Sequence, residues 1–384
     1  MNWSRANSFV QKPPAVLLIL SLAAVLGFIV VGRLVRAFDS RQRTIAADMY
    51  HRGLTDRRNR DLKLAANHFR AALSFDRNNF AYQLNLAESL AALGKDHDDQ
   101  ARTYFLNLWD RAPQNGQVNL ELARLAAHDN QLDEALRYYH NAIYGIWDDP
   151  SGASRRQTRL ELVDFLLAHN ENAQAKAELI ASAAGLPPDP APHSHIAERL
   201  LRANDYNDAL GQYRAVLELD HKNADAMRGA GQAAFLLGDF RTAQRYLQQA
   251  REHGVHDDAA GQMLQTADLV LRNDPFRRRL SDKERRQRIL TAFSRAGQRL
   301  QDCAQQKGED LDTSGTPLQS LHSQWTQLKP GVARAYDSGH SDIAETAMDL
   351  VFQIEQQTAR DCGPPTGLDQ ALLLIANNRD GADR

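Results

Sequence analysis

A chain of 384 residues with 43% hydrophobic and 24% charged residues has a globular composition, which excludes wholesale disorder, and it is longer than one compact core usually grows. Several units or an open repeat are therefore expected. A formal net charge of −2 gives no global field that would select nucleic acid or an anionic surface, and aromatic residues are only 7% of a chain rich in Ala and Leu, which favours helices over strands.

The first element is a tail over residues 1–13 carrying Arg5 and Lys12, with Trp3 suited to a membrane interface. From Ala15 to Val31 the chain reads AVLLILSLAAVLGFIVV without a charge. With Arg33 snorkelling, 14–35 is long enough to cross a bilayer, and a transmembrane helix is predicted there. A cleaved signal peptide fits less well, because Arg33, Arg36, Phe38 and Arg41 offer no small-residue cleavage site. Arg33, Arg36, Arg41 and Arg43 outnumber Arg5 and Lys12, so the flanking charges lean toward a cytoplasmic C-terminal portion. A basic tail before an uncleaved anchor points the other way, and sidedness stays open.

Residues 44–256 repeat. Ala65, Ala101, Ala135, Ala175, Ala209 and Ala243 are spaced by 36, 34, 40, 34 and 34 residues. Four residues after each stands Phe69, Phe105, Tyr139, Leu179, Tyr213 or Leu247, which with the next turn makes one helical face, repeated six times. Upstream of each lies a second set, Gly53, Ala87, Ala123, Val163, Ala197 and Gly231, which begins another apolar face. About six antiparallel helix pairs follow, a small residue at each crossing letting the backbones approach. Gly94, His128-Asp129-Asn130, Asn204-Asp205 and Gly238 supply the turns.

In ANDYNDALGQYRAVLELD (203–220) and LGDFRTAQRYLQQA (237–250) this pattern resembles the tetratricopeptide repeat family. The resemblance covers about 44–256; the family's early tryptophan is replaced, its late proline survives only as Pro113 and Pro187, and GKDHDD (94–99) and YGIWDDP (144–150) are insertions. It implies an all-α, TPR-type α-solenoid that binds a protein or peptide in a groove lined by the first helices of successive pairs. The exposed groove positions it implies are Leu84, Glu88, Gln117, Leu120, Arg124, Leu160, Asp164, Glu198, Arg228 and Gln232. Family members that clamp a C-terminal carboxylate use lysines and asparagines, whereas Tyr50, Leu54, Asn85, Gln117 and Glu121 stand at those places here, which does not support that mode.

Residues 257–273 read as a helix capping the array, ended by Asn273-Asp274-Pro275. Over 275–384 the period is lost but helical patterning persists. Ser281 and Glu284 form a capping box, and later helices run roughly through 317–336, 341–360 and 367–378, a small C-terminal helical domain. Cys303 and Cys362, the two cysteines of the chain, fall near ends of these helices and are open to pairing or to remaining thiols.

No phosphate loop, dinucleotide fingerprint, HExxH, GxSxG or paired CxxC is present, so no catalytic residue, metal, cofactor or small-molecule substrate is expected. His193 and His195 offer two ligands without a third. The run Arg277-Arg278-Arg279 with Lys283, Arg285, Arg286 and Arg288 is interrupted by Asp282 and Glu284 and lacks aromatic interleaving, so no nucleic-acid partner is expected. Trp109, Trp147 and Trp325 are scattered. The main expectation is a membrane-anchored scaffold or adaptor. The alternatives are a metal-dependent or enzymatic activity drawing on Cys303, Cys362, His322 and His340, or a structural component of an envelope or secretion assembly.

Overall fold

The computed structural model describes residues 13–313, 315–334 and 341–382; Trp3, Arg5, Lys12 and His340 lie outside them. Among the described residues there is no strand, only one isolated parallel bridge between Asn115 and Ile146. Contacts divide the chain into two compact units, the first ending at Phe165 and the second beginning at Leu166.

The first unit starts with α1 (Pro13–Arg58), a single helix of 46 residues. The apolar stretch therefore runs without a break into the first helix of the first pair. Residues 36–43, which the sequence leaves between the two, are RAFDSRQR, with no Gly or Pro to stop a helix. The apolar side chains from Leu17 to Val35 are exposed, Phe28 at 82%, and Ala46 is the first buried residue. Next come α2 (Leu62–Phe75), α3 (Phe80–Ala92), α4 (Asp98–Arg111), α5 (Gly116–His128), α6 (Leu132–Tyr144) and α7 (Ala153–Ala168), the last straddling the division between units.

The second unit contains α8 (Asn172–Ala183), α9 (Pro190–Arg202), α10 (Tyr206–Leu219), α11 (Ala224–Leu236), α12 (Phe240–Glu252) and α13 (Asp258–Asn273). Four more helices complete it: α14 (Asp282–Lys307), α15 (Pro317–Arg334), α16 (Ser341–Cys362) and α17 (Gly367–Ala382).

The column of alanines is the tight contact. All six are fully shielded, as are Phe69, Phe105 and Leu179 four residues on. The partner column explains why. A Cβ added to Gly53 would lie 2.6 Å from the Phe69 ring, and one added to Gly231 would lie 2.6 Å from Leu247 Cγ, so the small residue of one helix is the socket for the large residue of the next. The turns repeat as well. One left-handed residue sits between the helices of each pair: Arg60, Gly94, Asn130, Asn170, Asn204 and Gly238, with φ from 55° to 99°. Gly and Asn tolerate that conformation; Arg60 is the exception and carries its steric cost. Asn79, Asn115 and Asn223 each stand eight residues before the small residue of a first helix, and each side chain accepts the N–H of the third residue on, capping α3, α5 and α11.

Gly229 tests how tight these sockets are. A methyl built there would lie 2.2 Å from Cζ of the buried Tyr213 ring. Gly229→Ala gains about 0.5–1 kcal/mol of helix propensity, whereas overpacking costs about 1–3 kcal/mol, so a net loss of about 1–2 kcal/mol is expected in a denaturant melt.

At the C-terminal end one apolar core runs from Phe240 and Val270 through Ile289, Phe293, Leu300 and Trp325 to Val351, Leu372 and Ile375. The helices after Pro275 thus share a core with the last pair, and α13 does not close the array alone. Asn378 Nδ2 donates to Gly238 O at 3.3 Å. Ser281 and Glu284 form the capping box that opens α14, and Cys303 on α14 is bonded to Cys362 at the end of α16, with a Cα–Cα distance of 5.7 Å.

Candidate functional site

The first-helix face of the first unit carries a continuous polar relay. Arg57, in the last turn of α1, is ion-paired with Glu88 of α3. Gln117 of α5 donates through Nε2 to Glu88 Oε1 at 3.1 Å and to Glu121 Oε1 at 2.9 Å. Arg124 donates to the same Glu121 oxygen at 2.7 Å, and its Nε and Nη2 form a fork on Glu161 of α7 at 3.0 and 2.7 Å. Four successive first helices are joined by charge-assisted bonds, the strong class of side-chain hydrogen bond.

These side chains border a cleft of 610 Å³ that Leu62, Ala91, Ala92 and Leu125 line with apolar surface. Glu121 is only 8% exposed. Burial pushes its carboxyl up to about 7, Arg124 pulls it down, and Glu88 and Glu161 push it further. For Arg124, burial acts to lower the value, but the bonds to Glu161 and the charges of Glu121 and Glu161 outweigh it and hold the guanidinium above its ordinary value. Tyr139, behind the relay, is pushed up to about 12 by burial and by Glu161.

Of the ten expected groove residues, Glu88, Gln117 and Arg124 belong to this relay. Leu84, Leu160 and Asp164 are half-buried on α3 and α7. Leu120 corrects the expectation that it is exposed: it is 5% exposed, because α5 is enclosed by its neighbours, and from Val118 to Ala126 only Arg124 reaches solvent freely. Glu198, Arg228 and Gln232 lie in the second unit on α9 and α11, with Arg228 3.8 Å from Asp225. Arg57, Glu121 and Glu161 are the residues that the expected groove set omits. Glu121 and Glu161 do share a column in the sequence, each two residues before the small residue of its first helix, and that register is the signal that finds them.

The remaining candidates have local partners. Asn85 is buried and donates to Tyr50 Oη and Ala81 O, so it is not presented to a ligand carboxylate. His193 Nδ1 lies 2.8 Å from Gln212 Oε1, and His195 is exposed. In the basic run, Arg277 donates to Leu271 O at 2.6 Å and Arg288 to Asp274 O at 2.8 Å, so both cap the end of α13. Trp147 covers Gly116 and donates to Ala142 O, while Trp325 stacks on Phe293 and donates to Phe293 O. Cys303 and Cys362 are spent on each other, which removes the thiolates from the alternative metal reading, and His322 stacks on Trp325.

The tetratricopeptide repeat family profile matches residues 200–267. No curated protein sequence matches the chain. Solved structures similar to it include PilW, a widely conserved type IV pilus biogenesis factor, at 20% identity over 58% of this chain and 97% of that one, TM-score 0.41. YrrB, a TPR protein with an unusual peptide-binding site, is 16% identical over 51% and 96%, TM-score 0.40. Yeast Tom70 is 13% identical over 81% and 58%, TM-score 0.37. The profile match over 200–267 and the six helix pairs in one register make the fold a TPR-type α-solenoid, with one long apolar helix at its N-terminal end.

Proposed function

We propose that the chain is a membrane-tethered adaptor whose first unit captures a peptide segment of a partner protein in the cleft beneath Arg57, Glu88, Glu121 and Arg124. The observation that carries the reading is the relay itself. Its side chains are already ordered by one another around a cleft with an apolar lining, so less conformational freedom is lost when a ligand arrives. The anchor contributes geometry. Arg57 stands twenty-two residues beyond Val35 on the same helix, about 33 Å along its axis at 1.5 Å per residue. An unbroken helix of that kind is a stiff spacer, and tethering raises the effective concentration of the cleft for partners at the same membrane.

The test uses the full chain in membranes. It is expected to resist alkaline extraction, and Glu88→Lys, which breaks the relay and adds positive charge to the cleft, is expected to weaken recovery of its partner about 10- to 100-fold, the equivalent of losing charged hydrogen bonds. Release by alkali contradicts the anchor. Undiminished recovery by a variant with an unchanged melt contradicts the cleft.

The disulfide supports a placement of the helical array on the oxidising side of the membrane, against the lean of the flanking arginines. Disulfides persist in oxidising compartments, and the chain spends both of its cysteines on this one bond. Fusion of alkaline phosphatase after Arg384 reads the placement directly: activity is expected, and an inactive fusion with a reduced Cys303 refutes it.

A further inference from the structure

Resting on the cleft reading, we infer that the partner is recognised through a lysine or arginine side chain whose cationic head pairs with Glu121. Three observations on the first unit converge on this chemistry. The first is charge. Glu88, Asp98 and Glu121 border the cleft and Glu161 adjoins it through Arg124, whereas Arg57 and Arg124 are the guanidiniums there and His128 sits against Asp98. Four carboxylates against two guanidiniums leave a deficit of positive charge.

The second is the state of Glu121. The residue is 8% exposed and both of its hydrogen bonds fall on Oε1, while Oε2 is not among the fully buried atoms without a partner and so keeps access to the cleft. Burial disfavours the ionised carboxylate, and an ammonium or guanidinium that a ligand brings to the accessible oxygen offsets that cost. The third is shape. Leu62, Ala91, Ala92 and Leu125 line the same cleft and suit the methylene stem of a long basic side chain, which buries its chain while its head finds charge.

Proton linkage follows. Glu121 is faced by Arg124 and His128 on its own helix, Glu88 on α3, Arg57 on α1, Asp98 on α4, Tyr139 on α6 and Glu161 on α7, with Asp164 of α7 acting on Tyr139. Its carboxyl sits near pH 7 when the cleft is empty. A bound cation holds it ionised, so binding releases a proton and tightens as pH rises from 6 to 8.

The test is selection of displayed random 12-residue peptides on the full chain in detergent micelles, with Ala92→Trp as a variant that fills the cleft. The inference expects binders that are lost with Ala92→Trp, share a Lys or Arg at one position, weaken at least 10-fold when that residue is replaced by acetyl-lysine, and weaken similarly with Glu121→Gln. Glu121→Gln keeps the side-chain volume, and a melting transition no lower than the parent's confirms its fold. Calorimetry in two buffers of different ionisation enthalpy is expected to show proton release with the native cleft and none with Glu121→Gln. Binders lost with Ala92→Trp but indifferent to Glu121→Gln, or lacking a shared cation, overturn the inference and leave the cleft reading standing. Failure to select any binder sensitive to Ala92→Trp overturns both. Self-association of the chain abolished by Glu121→Gln assigns the cation to a second copy and overturns the partner reading.

Discussion

Reducing the Cys303–Cys362 bond, or replacing both cysteines by serine, is expected to lower the stability of the second unit by about 4 kcal/mol. The bond closes a separation of 59 residues between α14 and α16, and the chain-entropy cost of that loop in the unfolded state gives this magnitude. Cys303 is fully buried in the core that α14 shares with α15, α16 and α17, so the loss falls on the element that closes the helical array. At a few degrees per kcal/mol for a unit of this size, the transition moves down by roughly 8–16 °C. Scanning calorimetry with and without reductant measures it. The first unit contains no cysteine and serves as the internal control, its transition unmoved.

The second large effect has the opposite sign. Glu355 on α16 is fully buried, and neither carboxylate oxygen has a hydrogen-bond partner among the described residues. Burial, then the neighbouring Asp369, push its carboxyl up to about 8, while Arg299 and Arg295 pull it down. Arg295 is committed elsewhere, forked on Asp369 at 2.5 and 2.7 Å. In the unfolded chain a glutamate releases its proton near pH 4.5, whereas in the folded one it keeps the proton until about pH 8. Between those values the native state binds more protons than the unfolded state, so stability falls as pH rises and levels off above pH 8. Glu355→Gln removes that slope. The variant is expected to melt like the parent near pH 4 and to exceed it by a few kcal/mol at pH 8, since each tenfold difference in proton affinity between the folded and unfolded chain is about 1.4 kcal/mol. Chemical denaturation at both pH values checks it, and equal stabilities at pH 8 reject the account.

The repeat was legible because its cause is local. A helix crossing needs a small residue under a large one, so the Gly53–Phe69 and Gly231–Leu247 sockets leave a mark at fixed spacing. The left-handed turns leave another, since Asn130, Asn170 and Asn204 belong to the few residue types that adopt that conformation readily. The relay was less legible. Glu88, Gln117 and Arg124 can be placed on the first-helix face by register, but their pairing with Arg57, Glu121 and Glu161 depends on how neighbouring helices stack and where long side chains reach. Leu120 was misplaced for a related reason: α5 sits inside its unit and has almost no free face, which periodicity alone does not reveal. Continuity of the apolar stretch with the first pair was readable from 36–43 as an absence of Gly and Pro, a quieter signal than a motif.

Photo-crosslinking in intact membranes tests the adaptor account most directly. A benzophenone amino acid is placed at Ala92, which lines the cleft, or at Arg70, an exposed position on the second helix α2. The account predicts that the probe at Ala92 of the full chain joins one defined protein, that Glu88→Lys abolishes the adduct, and that the probe at Arg70 gives none. Equal adducts from both positions, or an Ala92 adduct indifferent to Glu88→Lys, would contradict it.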